Sequence, residues 1–217
     1  MTTIAVFGAT GTIGSRIVGE ALRRGHRVTA VVRHRNTIAQ VHHPHLAVRT
    51  GDVLDPASVT SAAKGHDVVI SAVGGGDGAA HQATLKPSAV ALIEGLRALG
   101  DQAPRLIAVG GAGSLRTADG GQVWDTPGLP EYLLQIMHAH GDALAHYRTI
   151  TDVDWTNVSP AAKIAPGQRT GAYRTGLDDL VTDESGNSFI SAEDFAVAVI
   201  DEVERPQHRQ RRFTVAH

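Results

Sequence analysis

The chain has 217 residues and contains no cysteine. Disulfides, thiolate catalysis and cysteine-ligated zinc are therefore excluded, and the lack of cysteine is compatible with a reducing compartment. An excess of one charge is also missing, because 20 lysines and arginines stand against 22 aspartates and glutamates. This balance gives no indication of nucleic acid or an anionic membrane as a partner. Basic charge comes mainly from arginine, since Lys64, Lys86 and Lys163 are the only lysines.

Long apolar runs are absent as well. No stretch approaches the roughly 18 apolar residues of a membrane span. No basic segment followed by an apolar stretch precedes the first strand, so no signal peptide is visible. We therefore expect a cytoplasmic protein that does not associate with membranes.

Histidine is plentiful, but the usual metal-binding patterns are missing. The compact cluster His42-His43-Pro44-His45 falls in a predicted loop, and no His-Glu-x-x-His pattern occurs among the 12 histidines. Catalytic zinc sites normally combine such spaced histidines with a carboxylate. The sequence therefore predicts no metal site.

The most informative segment that is present runs from Thr3 to Gly14. The apolar stretch Thr3-Ile4-Ala5-Val6-Phe7 leads directly into Gly8-Ala9-Thr10-Gly11-Thr12-Ile13-Gly14 and then into a helical pattern. Gly8 suits a tight turn, Gly11 a close approach of phosphate to backbone, and Gly14 close packing of helix on strand. The helix N-terminus offers unpaired N–H groups to a pyrophosphate. The predicted cofactor-binding residues here are Gly8, Thr10, Gly11, Thr12, Ile13 and Gly14; the alternative is a glycine-rich turn without a ligand.

Strands and helices alternate through the first half. Further strands are predicted at residues 28–32, 46–49, 67–71 and 105–109, and helices after Gly14, after the N-cap Asp55, and from about Pro87 to Leu99. Because the strands are continuous apolar runs, they indicate a parallel sheet covered by helices on both faces. The fold class is therefore α/β, a doubly wound parallel sheet.

The second half is less regular. It begins with a Gly-, Pro- and Asp-rich loop at 110–130, followed by a helix at 131–149 and a sixth strand at 155–158. Residues 172–174 and 188–190 are candidates for a small outlying ribbon, and a capping pattern at 191–194 starts a helix through Glu204. A last strand follows at 212–215. We expect one domain over residues 1–217, with a small substrate-side insertion at about 160–190.

The end of the second strand indicates which dinucleotide is bound. NAD-binding folds of this type place an acidic residue there for the ribose 2′-hydroxyl, but the sequence reads Val32-Arg33-His34-Arg35. A guanidinium can hold a 2′-phosphate, so we predict NADP, with Arg33 first and His34 or Arg35 second. The alternative is a solvated basic loop.

Three other strand ends are predicted to contact the cofactor, because ligands bind at the carboxyl edge of such sheets. Asp52 and Val53 follow the third strand, where Asp52 either accepts a hydrogen bond from adenine or caps the turn. Ala72, Val73 and Gly74 follow the fourth strand, and the triple glycine there is alternatively only a flexible loop. Pro160 and Ala161 end the sixth strand, beside the nicotinamide. Lys163 either guides an anionic acceptor or faces water.

These residues together resemble the atypical short-chain dehydrogenase/reductase superfamily. More narrowly, they are similar to the small NAD(P)H-binding proteins known as NADH-flavin reductases, relatives of biliverdin/flavin reductases and NmrA-like proteins. The more specific matches are Ser159-Pro160-Ala161-Ala162 and Gly167-Gln168-Arg169-Thr170-Gly171. The resemblance spans nearly the whole chain, and it implies a Rossmann-like fold, NADP binding and reduction of FMN, another flavin or a similar flat acceptor.

One departure from the superfamily concerns its chemistry. Typical members use Tyr-x-x-x-Lys, but Ile136, Thr151 and Leu177 stand four residues after the three tyrosines. A delocalised acceptor such as flavin needs less acid–base help than a ketone, so binding both reactants face to face is a sufficient mechanism.

Two residues are the candidates for catalysis. Ser114 follows the fifth strand and is predicted to hydrogen-bond the acceptor, although it alternatively caps a turn. His140 lies near the region where the related biliverdin/flavin reductases place a histidine, so its role is implied by the resemblance; surface exposure is the alternative.

The leading hypothesis is an NADPH-dependent reductase acting on a small-molecule acceptor, as a monomer or homodimer. The alternatives are a non-catalytic NADP(H) sensor of the NmrA-like type and an epimerase or isomerase that keeps its cofactor.

Overall fold

The computed structural model describes residues 1–34 and 43–217. The first half alternates strands and helices in the order β1 (Thr3–Phe7), α1 (Thr12–Arg23), β2 (Arg27–Val32), β3 (Leu46–Thr50), α2 (Pro56–Ala63), β4 (Val68–Ser71), α3 (Gly78–Arg97) and β5 (Arg105–Val109). The second half contains α4 (Glu131–Tyr147), β6 (Trp155–Ser159), β7 (Lys163–Ala165), β8 (Arg174–Gly176), β9 (Phe189–Ser191), α5 (Ala192–Glu204) and β10 (Arg211–Ala216).

Eight of these strands form one twisted sheet. Their order is β3-β2-β1-β4-β5-β6-β10-β8, and every neighbouring pair is parallel except β10 and β8. The chain moves outward from β1 in one direction and then resumes at β4 in the other. A sheet of this order is Rossmann-like, and its ligand crevice lies where the direction reverses, outside the carboxyl ends of β1 and β4. The predicted fold class is confirmed.

Both faces of the sheet are covered, which explains the continuous apolar runs. On β1, Ile4 and Val6 face the layer formed by α1 and α5, whereas Ala5 and Phe7 face the layer formed by α2, α3 and α4. All four side chains are buried. A strand buried on both sides has no polar face to alternate with, so its sequence is apolar throughout.

The predicted start of α3 at Pro87 is wrong. The helix begins at Gly78, and Asp77 is its N-cap, with Oδ1 accepting a hydrogen bond from the Ala80 N–H at 2.8 Å. Pro87 lies inside the helix on an exposed surface. Proline often marks the first turn of a helix. Here Asp77, which follows three consecutive glycines, caps the helix and sets its first residue.

The predicted ribbon between residues 172–174 and 188–190 is also wrong. β8 pairs with β10 as an antiparallel edge of the main sheet, and β9 pairs with β7 in a separate two-stranded parallel sheet. Strand length and composition do not specify partners, which are chosen by tertiary packing. The predicted helix start after Ser191 is confirmed, since Ser191 Oγ accepts from the Asp194 N–H at 3.0 Å.

The division into one domain with an insertion at 160–190 stays a prediction; that stretch contains β7 and β8. Among the helices of the described ranges, none has the length and apolar character to cross a membrane. Residues 1–34 and 43–217 also contain no group of three or more histidines, aspartates or glutamates arranged to hold a metal ion. Arg35 and His42 lie outside the described residues.

Candidate functional site

The turn between β1 and α1 is built on two glycines that admit no side chain. Gly8 has φ +75°, and a Cβ there would lie 2.4 Å from the Ala72 carbonyl oxygen. A Cβ on Gly14 would lie 2.1 Å from the Gly8 carbonyl oxygen. The Gly11 N–H closes the turn by donating to the Gly8 carbonyl at 3.1 Å. These contacts let α1 start directly against the end of β1.

The N-terminus of α1 is open to an anion. Gly11 is its N-cap, no side chain caps it, and its first turn contains no acidic residue. The first turn of α5, by contrast, contains Glu193 and Asp194 and is capped by Ser191. Because the first N–H groups of a helix lack intrahelical partners, the α1 end presents donors and a partial positive charge.

A cleft of about 450 Å³ opens beside this turn at the carboxyl ends of β1 to β4. We call it the glycine cleft. Its walls are the segments that follow these strands, together with the first part of α3. The lining residues are Phe7, Gly8, Thr10, Gly11, Val31, Val32, Arg33, Gly51, Asp52, Val53, Leu54, Ala72, Val73, Gly74, Gly75, Gly76, Ala80 and Thr84.

Of the basic residues predicted to bind the 2′-phosphate, Arg33 and His34 differ in whether they line the glycine cleft. Arg33 is exposed at the end of β2 and lines the glycine cleft. His34 is exposed and is not among the lining residues, and Arg35 lies outside the described part of the chain. Asp52 lines the cleft, and its Oδ1 accepts from the Leu54 N–H at 2.9 Å. The turn-capping role of Asp52 is thus observed, and its contact with adenine stays a prediction.

A second cavity, of about 410 Å³, adjoins the glycine cleft. We call it the histidine cavity. The two share Gly11, Ala72, Val73, Gly74 and Gly75. The remaining lining comes from α1, α3, α4, the segments after β5 and β6, and β7. These residues are Thr12, Ile13, His81, Val109, Gly110, Gly111, Ala112, Leu133, Ile136, Met137, His140, Pro160, Ala161, Ala162 and Ile164.

Most predicted cofactor residues therefore line one or both of these adjoining openings. Thr12, Ile13, Pro160 and Ala161 line the histidine cavity, whereas Gly14 is buried beneath the turn and acts through packing. The family resemblance indicates His140 on α4, but sequence patterns missed the contribution of α3 and the apolar lining residues of α4. The sequence predicts that α3 begins at Pro87, which leaves His81 before the helix with no reason to assign it to the site.

The two predicted catalytic residues have different surroundings. His140 lines the histidine cavity, where burial, with a smaller contribution from His81, lowers the pKa of its imidazole to about 4. Ser114 is not among the lining residues. Its Oγ accepts a hydrogen bond from Arg212 Nη1 at 2.7 Å, and Arg212 also donates to Asp178. Ser114 thus belongs to a polar cluster next to β10, and this placement gives its predicted catalytic role no support.

No tyrosine lines either opening in the described chain. Tyr132 is exposed on α4. Tyr147 is buried against Trp155, and burial raises the pKa of its hydroxyl well above the usual value. Tyr173 donates to Asp201 at 2.5 Å, and burial together with that carboxylate raises its pKa as well. A tyrosine acid–base mechanism therefore has no candidate among these side chains.

A wider groove of about 610 Å³ lies along α3 and includes Pro87, Val90 and Glu94. Helix residues form most of its wall, and Leu54 is the one described lining residue that it shares with the glycine cleft. The groove therefore lies mainly on helices, beside the edge where doubly wound sheets bind nucleotides.

The glycine cleft fits a dinucleotide. A Cβ on Gly11 would meet the protein only at the Gly8 carbonyl oxygen, 3.4 Å away, so the space beside Gly11 is open for a phosphate. Gly8, Gly11 and the start of α1 would hold the pyrophosphate, and the adenosine would then lie towards Arg33 and Asp52, which line the same cleft.

Comparisons with known proteins agree with this geometry. Residues 8–206 match the family model described as NAD(P)H-binding. The uncharacterized protein YwnB of Bacillus subtilis (strain 168) is 37% identical over 215 residues, which cover 98% of this chain and 97% of YwnB.

Two solved structures share the fold along their length. The "putative epimerase" from Bacteroides thetaiotaomicron has a TM-score of 0.90 and 40% identity, covering 100% of this chain and 97% of that one. The "putative NADH-flavin reductase" from Streptococcus pneumoniae TIGR4 has a TM-score of 0.87 and 32% identity, covering 100% of both chains. The family model matches most of the chain, and the glycine turn between β1 and α1 has the geometry described above. This chain therefore belongs to the NAD(P)H-binding family.

Proposed function

We propose that this protein is an NADPH-dependent reductase that transfers hydride to a flavin or a similar conjugated acceptor. The observation that carries the proposal is that the glycine cleft and the histidine cavity adjoin each other and share Gly11 and residues 72–75 in their walls. A dinucleotide whose pyrophosphate lies at α1 would extend its adenosine into the cleft and its nicotinamide towards the cavity. The similarity to the Streptococcus protein supports a reductase rather than another use of the cofactor.

The lining of the histidine cavity favours a flat, uncharged acceptor. Leu133, Ile136 and Met137 contribute apolar side chains from α4, and no lysine, arginine, aspartate or glutamate lines the cavity in the described chain. Apolar walls with a few polar groups are typical of sites for aromatic ligands. The preference for NADPH over NADH rests on Arg33, which lines the cleft where a carboxylate would favour NAD.

The test is the oxidation of NADPH by purified protein in the presence of riboflavin, FMN or a quinone. We expect turnover with at least one of them and a lower rate with NADH. The variant Ile136→Trp should obstruct the cavity, lowering kcat/KM for the acceptor about tenfold or more while leaving NADP binding unchanged. Tyr132→Trp, on the exposed side of the same helix, is the matched control and should behave like the wild type.

A non-catalytic NADP(H) sensor is the second candidate, and the lack of a lining tyrosine favours it. A sensor would bind NADP with no turnover of any acceptor, and Ile136→Trp would then have no kinetic effect to measure. The similarity to the Bacteroides protein supports an epimerase as a further alternative. An epimerase would convert its substrate without net consumption of NADPH, so the same assay would show no NADPH oxidation with any acceptor.

A further inference from the structure

Two histidines from different helices meet in the histidine cavity. His81 lies in the first turn of α3 and His140 in α4, and their ring centroids are 5.9 Å apart. They are the only titratable side chains among the described residues that line this cavity. Any proton that a side chain of this lining gives to a bound acceptor therefore comes from one of these two imidazoles.

The hydrogen bond of His81 fixes which nitrogen is available. Its Nδ1 lies 2.8 Å from the Asp77 carbonyl oxygen, which can only accept, so Nδ1 carries a hydrogen. The other nitrogen, Nε2, lies beside Gly74, 3.3 Å from the position that a Cβ on that glycine would take. Gly74 belongs to the segment shared by the glycine cleft and the histidine cavity. Nε2 is thus held where the cofactor and the acceptor would meet.

Within the described chain, His140 is held by packing rather than by a hydrogen bond to the backbone. Its Cβ and Cγ lie 2.9 Å from the Cβ position of Gly111, so the ring packs directly on the segment after β5. Burial, together with the nearby His81, keeps the pKa of His140 near 4. His140 is therefore uncharged at neutral pH, and it is suited to hydrogen bonding rather than to supplying a proton.

We propose that His81 is the proton donor to the acceptor, acting through Nε2, and that the uncharged His140 beside it orients the acceptor. This inference rests on the proposed reductase function and adds to it the source of the proton. It also names the class of acceptor: an uncharged conjugated molecule with a heteroatom that becomes basic on reduction.

The proton is needed for the balance of the reaction. When bound, the reduced dinucleotide supplies a hydride from its nicotinamide C4–H bond, which breaks as a new bond to hydrogen forms on the acceptor. The acceptor gains two electrons and one hydrogen and is left as an anion. The Nε2–H bond of protonated His81 then breaks, and its proton goes to the anionic heteroatom. His81 recovers a proton from water at the mouth of the cavity.

The kinetic test compares His81→Gln, His140→Gln and the control His138→Gln, whose residue is exposed on α4 and lines neither opening. Positioned general acids typically contribute 10²–10⁴-fold to a rate, so His81→Gln should lower kcat with a quinone about 100-fold. The loss should be smaller with riboflavin, whose ring delocalises the added charge. Imidazole added to the buffer should restore part of the lost rate with the smaller variant His81→Ala. His140→Gln should raise KM for the acceptor more than it lowers kcat.

Two measurements do not depend on turnover. Nitrogen NMR of the wild-type histidine rings should show neutral His81 with its hydrogen on Nδ1. Quenching of riboflavin fluorescence and calorimetry with NADP should give the same affinities for His81→Gln as for the wild type, within about twofold, if His81 acts on the reaction rather than on binding.

The outcomes separate the two proposals. Wild-type turnover with an unchanged rate in His81→Gln would overturn the role of His81 and leave the reductase standing. His81 is equally excluded as the proton donor if its neutral ring carries the hydrogen on Nε2, or if the lost rate is matched by lost NADP binding. Absence of wild-type turnover with every acceptor would overturn both proposals.

Discussion

The glycine cleft and the histidine cavity adjoin each other, but they are assembled in different ways. The cleft consists mainly of residues at or just after the ends of β1, β2, β3 and β4, so most of its wall continues a strand. The cavity combines side chains of α3 and α4 with segments that follow β5 and β6. Each contribution to the cleft can be recognised from a short stretch of sequence at the end of a strand. The cavity exists only after α3 and α4 have packed against each other.

The two openings also differ in charge. Arg33 and Asp52 line the cleft, whereas two histidines are the only titratable groups along the described wall of the cavity. A charged cleft suits a dinucleotide phosphate, and an apolar cavity suits an uncharged ring. Substitutions in the cleft should therefore change binding of the cofactor, and substitutions at the cavity should change binding of the acceptor.

The largest expected effect is at the base of the cleft. Gly14→Ala would put a methyl group 2.1 Å from the Gly8 carbonyl oxygen, so α1 must move away from β1. We expect a loss of about 3 kcal/mol of unfolding free energy and of measurable NADP binding. Denaturant unfolding and calorimetry provide the measurements.

The same helix supplies the control for this change. Gly19 is exposed, and a Cβ there would meet nothing within 4 Å. Gly19→Ala should therefore raise the unfolding free energy by about 0.5–1 kcal/mol and leave binding unchanged. Equal behaviour of the two variants would show that close packing at Gly14 is not what shapes the cleft.

The next effect concerns the ion pair between Arg169 and Glu20, which anchors the 160–190 stretch on α1. Burial alone would raise the pKa of Glu20, but hydrogen bonds from Arg169, Arg23 and Arg24 outweigh it and hold the pKa at about 2. Because this pKa is below the ordinary value of 4.5, the stabilisation is present above pH 4.5 and is lost as the pH falls from 4.5 towards 2.

Glu20→Gln should therefore remove on the order of 2–3 kcal/mol of unfolding free energy at neutral pH and flatten its pH dependence below 4.5. Urea unfolding at a series of pH values measures this. The exposed Glu94 of α3 provides the control, and Glu94→Gln should change stability by less than about 0.5 kcal/mol. An unchanged acid profile in Glu20→Gln would contradict the role of this anchor.

A third effect tests the cofactor preference of the cleft. Arg33→Ala should weaken NADP binding by about 1–3 kcal/mol and barely change NAD binding, because only the 2′-phosphate needs the guanidinium. Calorimetry with both dinucleotides is the measurement. Arg49→Ala, on the neighbouring strand and outside the cleft lining, should leave both affinities unchanged. Equal losses for NADP and NAD would show that Arg33 does not contact the 2′-phosphate.

The smallest effect lies at the edge of the cavity. Lys163 is exposed next to Ile164, which lines the cavity, and it is the nearest lysine in sequence to that wall. Exposed charge pairs contribute about 0.2–1 kcal/mol, so Lys163→Ala should raise KM for FMN by a few-fold at most and leave riboflavin unaffected. Steady-state kinetics with both flavins tests this, with the exposed Lys64→Ala as control. A similar change for riboflavin would exclude a contact with the phosphate.

Sequence reasoning identified residues of the glycine cleft more completely than residues of the histidine cavity. Gly8, Gly11 and Gly14 could be assigned because their spacing and their neighbouring strand and helix form one local motif. The sequence patterns predict that α3 starts at Pro87, whereas the structure shows Asp77 as the N-cap of this helix. His81 was missed for this reason. Ser114 follows β5, where the sequence predicts that it contacts the acceptor. In the structure its hydroxyl oxygen instead accepts a hydrogen bond from Arg212, 98 residues away.

The sequence by itself indicated the parallel sheet, the glycine turn between β1 and α1 and the lack of an acidic residue after β2, because each leaves a local pattern: continuous apolar runs, spaced glycines and the residues that end one strand. Only the tertiary structure decided that α3 and α4 bring His81 and His140 together on the segments after β4 and β5. That pairing depends on how two helices pack against each other on one face of the sheet, and no spacing between residues 81 and 140 encodes it.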